Sequence, residues 1–191
     1  MRVYYSLYWQ LLNKTLLLNS YKKVKRAKGA AGIDGQSLSD FGASLQVNLN
    51  QLFLELKTKQ YRAQPVRRVE IPKDDGGVRQ LGIPTVRDRV VQQAVNDLMV
   101  PTFDPDFHPS SFGYRPHRSS HDAINKATLF IRRYHLQHVV DMDLSKCFDT
   151  LNHELILNSA RQRITDSSFL ALIKQFLESG VMVEGQWQAS D

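Results

Sequence analysis

The stretch from Val139 to His153, VVDMDLSKCFDTLNH, constrains the fold of this 191-residue chain more than any other. Its alternation predicts a strand over His138–Leu144 that turns Asp141 and Asp143 to one face and apolar side chains to the other. Carboxylates this close repel one another in a core element unless a cation binds them. Carboxylates at the end of a core strand can hold Mg²⁺, whereas an isolated Asp-x-Asp more often caps a turn or pairs with lysine.

A second β signal lies in the middle of the chain. Two short segments, Val66–Ile71 and Val78–Ile83, flank the turn sequence KDDGG, which predicts a β-hairpin. Lys73 stands just before the Asp-Gly part of that turn, and Arg79 just after the turn. Cations at a hairpin tip commonly serve solubility alone, but two of them on one rigid ribbon also suit a triphosphate.

The remaining segments show helical periodicity. After the Gly-rich KGAAGIDG, one apolar stripe comprises Phe41, Leu45, Leu49, Leu52, Phe53 and Leu56. Thr85 and Asp88 form a variant capping box before a second stripe, which comprises Val86, Val90, Val91, Ala94, Val95 and Leu98. Further helices are predicted in the N-terminal segment, from about Ser120 to Tyr134, and from near Asn152.

Charge and cysteine content narrow the class of protein. The chain carries 25 Lys and Arg against 19 Asp and Glu, with a pI near 9.5, which suits a polyanionic partner. Cys147 is the only cysteine, so a disulfide framework and a cysteine-rich zinc site are excluded, and a reducing intracellular setting is expected. The sequence shows neither a signal peptide nor a run long enough to span a membrane.

Two basic regions are candidates for RNA contact. One precedes the Gly-rich loop and is a phosphate-contacting arm or a solvated helix face. The other is the Pro-rich connection after residue 100, where aromatic and guanidinium groups alternate, as in single-strand binding or in a packed loop. The candidate RNA-binding residues, with two arginines from the hairpin region, are Lys22, Lys23, Lys25, Arg26, Arg67, Arg87, Tyr114, Arg115 and Arg118.

Four blocks in order carry a family resemblance over roughly residues 11–190: KGAAGIDG, YRAQPVRRVEIPKDDGGVRQLGIPTVRDRVVQQAV, FHPSSFGYRPHRSSHDAI and VVDMDLSKCFDTLNHELIL. In these blocks the chain resembles the reverse transcriptases and maturases encoded by bacterial group II introns. The resemblance implies an α+β fold, with right-hand polymerase fingers and a partial palm. That fold is helix-rich, with a β-hairpin and a short antiparallel palm sheet.

The resemblance also implies roles for single residues. Asp143, rather than Asp141, matches the catalytic aspartate that binds both Mg²⁺ ions, and the carbonyl of Leu144 completes one metal's shell. Phe148 matches the gate beneath the sugar that selects deoxynucleotides, and Asp149 is expected to order the turn. The other implied nucleotide-binding residues are Lys73, Arg79, Lys146 and Cys147.

The implied activity is RNA-directed DNA polymerase, a nucleotidyltransferase that uses an intron RNA template, a DNA primer and dNTP during retrohoming. The family's further carboxylates come from a later Ala-Asp-Asp hairpin that is absent from these 191 residues, so we expect a fragment that is inactive alone. A non-catalytic, maturase-like RNA-binding module is the alternative, and a nuclease with the same metal chemistry is less favoured.

The implied organisation has three parts. Residues 1–62 form an N-terminal helical extension and the start of the fingers, residues 63–135 the fingers, and residues 136–191 the first part of the palm. A palm sheet short of strands would expose an edge and apolar surface, so homodimers or larger assemblies are expected, in the bacterial cytoplasm and away from membranes.

Overall fold

The chain folds into two compact units. The computed structural model describes residues 3–72, 74, 76–144, 147 and 150–189. The first unit comprises Met1–Leu98 and Thr150–Asp191, and the second comprises Met99–Asp149. These two units are not the three predicted parts. The division into an N-terminal extension, fingers and palm at residues 62 and 135 stays a prediction.

Eight α-helices and four strands are assigned within the described residues. The helices are α1 (Leu7–Leu11), α2 (Lys14–Ala27), α3 (Leu38–Ala43), α4 (Leu45–Lys57), α5 (Val86–Phe103), α6 (Ser120–Tyr134), α7 (His153–Arg161) and α8 (Ser167–Leu177). The strands are β1 (Val66–Pro72), β2 (Val78–Ile83), β3 (Val181–Val183) and β4 (Gln186–Gln188). A short 3-10 helix spans Asp104–Asp106. The α+β class is confirmed.

The two apolar stripes form much of the core of the first unit. The predicted first stripe is divided between α3 and α4, because the helical backbone is interrupted at Ser44. Its buried members are Phe41, Leu49, Leu52 and Leu56. The stripe of α5 is buried as predicted at Val86, Val90, Val91, Ala94 and Val95. Helices α7 and α8 add Leu157, Phe169 and Leu172 to this core.

The four strands form one mixed sheet in the order β2-β1-β3-β4. The predicted hairpin is confirmed, since β1 and β2 pair antiparallel from Arg67 opposite Ile83 to Pro72 opposite Val78. Gly76, in the connecting turn, has a φ of 81°, a conformation that glycine adopts without strain. The parallel pairing of β1 with β3 was not predicted, and it makes the sheet mixed rather than purely antiparallel.

The second unit contains α6, whose predicted bounds are confirmed. The strand predicted over His138–Leu144 is not formed. Residues 136–144 are all described, and they are neither helix nor strand. A strand requires a neighbour for its backbone N–H and C=O groups. The alternating side chains are therefore not sorted into two faces: Val140 and Met142 are exposed, and so are Asp141 and Asp143.

Among the described residues, no helix combines the length and the apolar character that crossing a membrane requires.

Candidate functional site

The β1–β2 hairpin exposes to solvent one of the two cations predicted to bind a triphosphate. Arg79 lies on β2 opposite Ile71 of β1, next to the turn, and it is exposed. The strand residues on both faces of this end of the hairpin are exposed as well. Arg79 is therefore held on a paired backbone while its guanidinium is open to an anionic ligand.

A buried carboxylate fixes the start of the hairpin against α5. Asp88 accepts hydrogen bonds from the Tyr61 hydroxyl at 2.6 Å, the Thr85 hydroxyl at 2.7 Å and the Gln64 backbone N–H at 3.1 Å. Only 1% of Asp88 is exposed, and its three partners satisfy the charge. Burial, and then the charge of Asp88, raises the pKa of the Tyr61 hydroxyl. The predicted capping box is confirmed in part: the Asp88 backbone N–H donates to the Thr85 hydroxyl oxygen at 3.2 Å, and the Asp88 carboxylate accepts from that hydroxyl within a larger network.

The Gly-rich loop is attached to the start of α5. Arg89 donates from Nη2 to the Ala30 carbonyl at 2.8 Å and from Nη1 to the Lys28 carbonyl at 3.5 Å. A Cβ on Gly32 would lie 2.6 Å from the backbone nitrogen of Thr85, so only glycine fits this close approach. Arg89 was not predicted as a site residue. The signal that could have found it is an arginine beside the buried apolar stripe of α5, which can donate to the backbone carbonyls of the Gly-rich loop.

The carboxylate segment (residues 136–144) presents the predicted catalytic residue without a completed metal site. Asp141 and Asp143 are both exposed, one residue apart. The Leu144 carbonyl accepts the backbone N–H of Cys147 at 3.3 Å, which uses part of its acceptor capacity. In the part of the chain that the structure describes, no group of three or more His, Cys, Asp or Glu side chains could hold a metal ion. These residues are too few for a Mg²⁺ pair, which needs more oxygen ligands.

Several predicted nucleotide-site residues lie outside the described residues. They are Lys73 in the hairpin turn, and Lys146, Phe148 and Asp149 after the carboxylates. The roles that the resemblance gives them stay predictions.

The basic residues of α2 divide by their partners. Lys22, Lys25 and Arg26 are exposed on the helix surface. Lys23 instead forms an ion pair in which its Nζ lies 2.7 Å from the Asp97 carboxylate. Three cations of the predicted arm are thus presented to solvent, and the fourth also ties α2 to α5.

Arg67 of β1 and Arg87 of α5 contribute to the fold of the first unit. Arg67 donates from Nε to the Ala31 carbonyl at 3.1 Å. Arg87 donates to the Glu55 carboxylate and lies 5.2 Å from the centre of the Tyr61 ring. Their predicted RNA contacts remain predictions, to be weighed against these internal contacts.

The three candidate RNA-binding residues in the Pro-rich connection of the second unit differ in exposure and in contacts. Arg115 is nearly enclosed, with 7% of its side chain exposed, and its Nε donates to the Asp104 carboxylate at 2.7 Å. That hydrogen bond lowers the pKa of Asp104 and raises the pKa of Arg115. Arg118 is exposed and donates to the Pro109 carbonyl, and Tyr114 is fully exposed.

Comparisons with known proteins identify the family. The profile of the family described as reverse transcriptase (RNA-dependent DNA polymerase) matches residues 71–190. The chain is 39% identical to protein YkfC of Escherichia coli over 86% of this chain and 44% of that protein. It is 30% identical to the group II intron-encoded protein LtrA of Lactococcus lactis over 97% of this chain and 31% of LtrA. A putative COX1/OXI3 intron 2 protein of Saccharomyces cerevisiae is 32% identical over 86% of this chain and 19% of that protein.

The family match begins inside the hairpin and includes the Pro-rich connection and the carboxylate segment. The chain belongs to the reverse transcriptase family, among the group II intron-encoded reverse transcriptases and maturases. It spans less than half the length of each of these three relatives.

Proposed function

We propose that this chain is part of an RNA-directed DNA polymerase of a group II intron, which copies intron RNA into DNA and assists intron splicing and mobility. The observation that carries this proposal is the solvent-exposed hairpin that presents Arg79, at the start of the region matched by the reverse transcriptase profile. An antiparallel ribbon keeps its side chains in a fixed order, so a cation near its tip is pre-organised for a nucleotide.

The proposed substrates are an intron RNA template, a DNA primer and dNTP. Arg79, with Lys73 across the turn, would bind the triphosphate by charge-assisted hydrogen bonds. Phe148 would exclude the 2′-hydroxyl, and the backbone N–H groups of Lys146 and Cys147 would contact the phosphates. Members of the family generally use Mg²⁺, and Asp143 with the Leu144 carbonyl would supply ligands once further carboxylates join them.

A maturase-like module that binds RNA without catalysis is the second proposal. Two observations favour it: the exposed cations of α2, and the lack of a third metal-ligating side chain near the described carboxylates. On this proposal the 191-residue chain binds structured intron RNA and has no turnover. Both proposals place the protein in the bacterial cytoplasm.

One experiment tests RNA binding, which both proposals require. Titration of a structured intron RNA at 50 and 200 mM salt should show affinity falling about tenfold or more, because contacts from lysine and arginine to phosphate release counterions. The triple change of Lys22, Lys25 and Arg26 to Ala should reduce this salt dependence, whereas Lys57→Ala, on the C-terminal turn of α4, serves as the control. An affinity that does not change with salt would contradict the proposal.

A second experiment separates the polymerase from the module. Primer extension should be undetectable with the 191-residue chain and present in a longer protein that carries the Ala-Asp-Asp hairpin. In that longer protein, Asp143→Ala should abolish extension, Asp141→Ala should retain much of it, and Phe148→Ala should admit ribonucleotides. If Asp141→Ala and Asp143→Ala abolish extension equally, the assignment of the catalytic role to Asp143 rather than Asp141 is wrong. Extension that Asp143→Ala leaves intact would reject the polymerase assignment of this segment.

A further inference from the structure

The loop between α5 and α6 presents one aromatic side chain to solvent in an unusual backbone conformation. Tyr114 is 100% exposed and has a φ of 54°. A bulky residue in the left-handed region is unfavourable and persists only where surrounding contacts impose it. Among the described residues Tyr114 makes no hydrogen bond and no ring contact, so the conformation gains the fold nothing through this side chain.

The next residue, Arg115, makes the hydrogen bonds that hold this part of the loop. Its guanidinium donates to the Asp104 carboxylate at 2.7 Å and the Asp104 carbonyl at 2.9 Å. It also donates to the carbonyls of His108 and Ser111, both at 3.1 Å. One planar group thus joins the start of the loop, at Asp104, to its middle, at His108 and Ser111, and the fork geometry of arginine suits this.

The aromatic side chains of the loop differ in whether a cation lies over the ring. The Arg115 guanidinium lies 5.3 Å from the centre of the Phe107 ring, and that of Arg118 lies 5.6 Å from the centre of the Phe112 ring. Each phenylalanine therefore has a cation over its face. Only the Tyr114 ring, among these three, is left open on both faces.

We propose that this loop is a preassembled stacking platform for an unpaired RNA base, in which Tyr114 contacts the base and Arg115 is a positioning residue that does not contact RNA. The proposal rests on the proposed RNA-binding function and deepens it. It divides the roles that the sequence had assigned jointly to Tyr114, Arg115 and Arg118. His117 and Arg118, which follow Tyr114 in the chain, are exposed and available for the adjoining phosphates.

A nucleobase fits this display better than a protein surface does. A single exposed ring can stack on any base, whereas a protein interface requires a wider patch with an apolar centre. The neighbours of Tyr114 in the chain are Gly113 and Arg115, which add no apolar area. The isolation of the ring and the cationic residues near it in the chain therefore favour the nucleic acid.

The first test measures affinity for a single-stranded RNA oligonucleotide and for a fully paired RNA hairpin of equal length. Tyr114→Leu should weaken binding of the single strand about 5- to 100-fold, and Tyr114→Phe should leave it nearly unchanged. Tyr5→Leu, which alters another exposed tyrosine of the first unit, is the matched control. Binding of the paired hairpin should change little in every variant, since its bases are already stacked.

The second test uses the sign of a charge change. Removing an acidic group from an RNA-binding surface should strengthen binding by electrostatics alone. If Arg115 acts by position, Asp104→Ala must instead weaken single-strand binding, because it removes the carboxylate that holds the guanidinium. Asp141→Ala, which removes an exposed charge of the same unit, is the control and should strengthen binding slightly or leave it unchanged.

The third test is a double-mutant cycle with salt dependence. Arg115→Ala should weaken binding as much as Tyr114→Leu does, and the double variant should add little, because both changes remove one stacking contact. The slope of log affinity against log salt should stay as in the wild type for Arg115→Ala and fall for Arg118→Ala. Circular dichroism checks that each variant folds.

The possible results lead to separate conclusions. Wild-type protein that binds neither RNA would reject the proposed function itself. Wild-type binding that Tyr114→Leu does not weaken would reject the platform while RNA binding stands. A reduced salt slope for Arg115→Ala, with full binding retained by Arg115→Lys, would show that Arg115 contacts phosphate directly.

Discussion

The β1–β2 hairpin and the carboxylate segment (residues 136–144) have similar sequence patterns and different structures. Both alternate apolar and polar residues, and both were predicted as strands. The hairpin forms because each strand finds its partner across a turn of only five residues. The carboxylate segment has no such neighbour in sequence and is exposed throughout. Alternation therefore predicts the capacity to form a strand, and the availability of a partner decides the outcome.

The helices that accompany these regions differ in the same way. Five stripe residues of α5 are buried beside the hairpin. Helix α6 precedes the carboxylate segment and buries no residue, although every one of its residues is described. Its large apolar side chains, including Ile124 and Phe130, are exposed. The first unit thus buries its apolar helix stripes, whereas α6 leaves its large apolar side chains exposed.

The largest effect should come from comparing one aspartate of each region. Asp88→Ala removes a buried acceptor of three hydrogen bonds and leaves the Tyr61 and Thr85 hydroxyls without it, so we expect a loss of about 3–5 kcal/mol in the free energy of unfolding. Asp143→Ala should change that free energy by less than about 0.5 kcal/mol, because the side chain is exposed. Urea unfolding followed by circular dichroism measures both.

Asp88→Asn refines this comparison. The carboxamide keeps the size of the side chain and one acceptor oxygen, so the loss should be smaller than for Ala. A destabilisation by Asp143→Ala as large as that of Asp88→Ala would mean that the carboxylate segment is packed in solution, and the contrast between the regions would fail.

Local chemistry explains which features the sequence could predict. The hairpin, the capping box of Thr85 and Asp88 and the bounds of α6 depend on residues within about twenty positions of one another, and all were predicted. The pairing of β1 with β3 joins Val66 to Val181, and no local pattern encodes it. At the candidate site, the charge pattern of the sequence predicted the exposed cations. It could not show that the Arg115 side chain is only 7% exposed and is paired with Asp104. Partners far apart in sequence are set by tertiary packing, which periodicity does not record.

Self-association provides a second test of the same contrast. Val139, Val140, Met142 and Leu144 are each at least 75% exposed, and together they form an apolar segment that a second copy could cover. We expect light scattering to show dimers or larger assemblies. The double change of Val140→Ser and Met142→Gln should weaken association about tenfold or more, since each buried apolar side chain contributes about 1.5–3 kcal/mol.

Val47→Ser is the control for association, because it removes a single exposed apolar residue of α4 in the first unit. It should leave the assembly unchanged. A chain that stays monomeric at every concentration would show that the exposed segment does not drive association.

The smallest effect compares two capping boxes of the same type. Ser37 at the start of α3 and Ser119 at the start of α6 each accept the backbone N–H of the third helical residue, an aspartate, at 3.2 Å. Each serine also donates its hydroxyl to that aspartate at 2.6 Å. These hydrogen bonds lower the pKa of both Asp40 and Asp122. The local chemistry of the two caps is therefore nearly the same.

The surroundings of the two caps should nevertheless give different results. Ser37→Ala should lower the global free energy of unfolding by about 1 kcal/mol, because α3 is anchored in the core by Phe41. Ser119→Ala should leave global unfolding nearly unchanged and speed hydrogen exchange within α6, which buries no residue and can unfold locally. Because the folded-state pKa of each aspartate is lowered, each cap contributes stability above the ordinary aspartate pKa of about 3.9 and loses it as pH falls through the folded-state value. Protection of wild-type α6, measured as its exchange rate relative to the intrinsic rate at each pH, should therefore fall only in acid, whereas the Ser119→Ala variant should already have low protection at neutral pH. Equal global destabilisation by both serine changes would show that α6 is packed as firmly as α3.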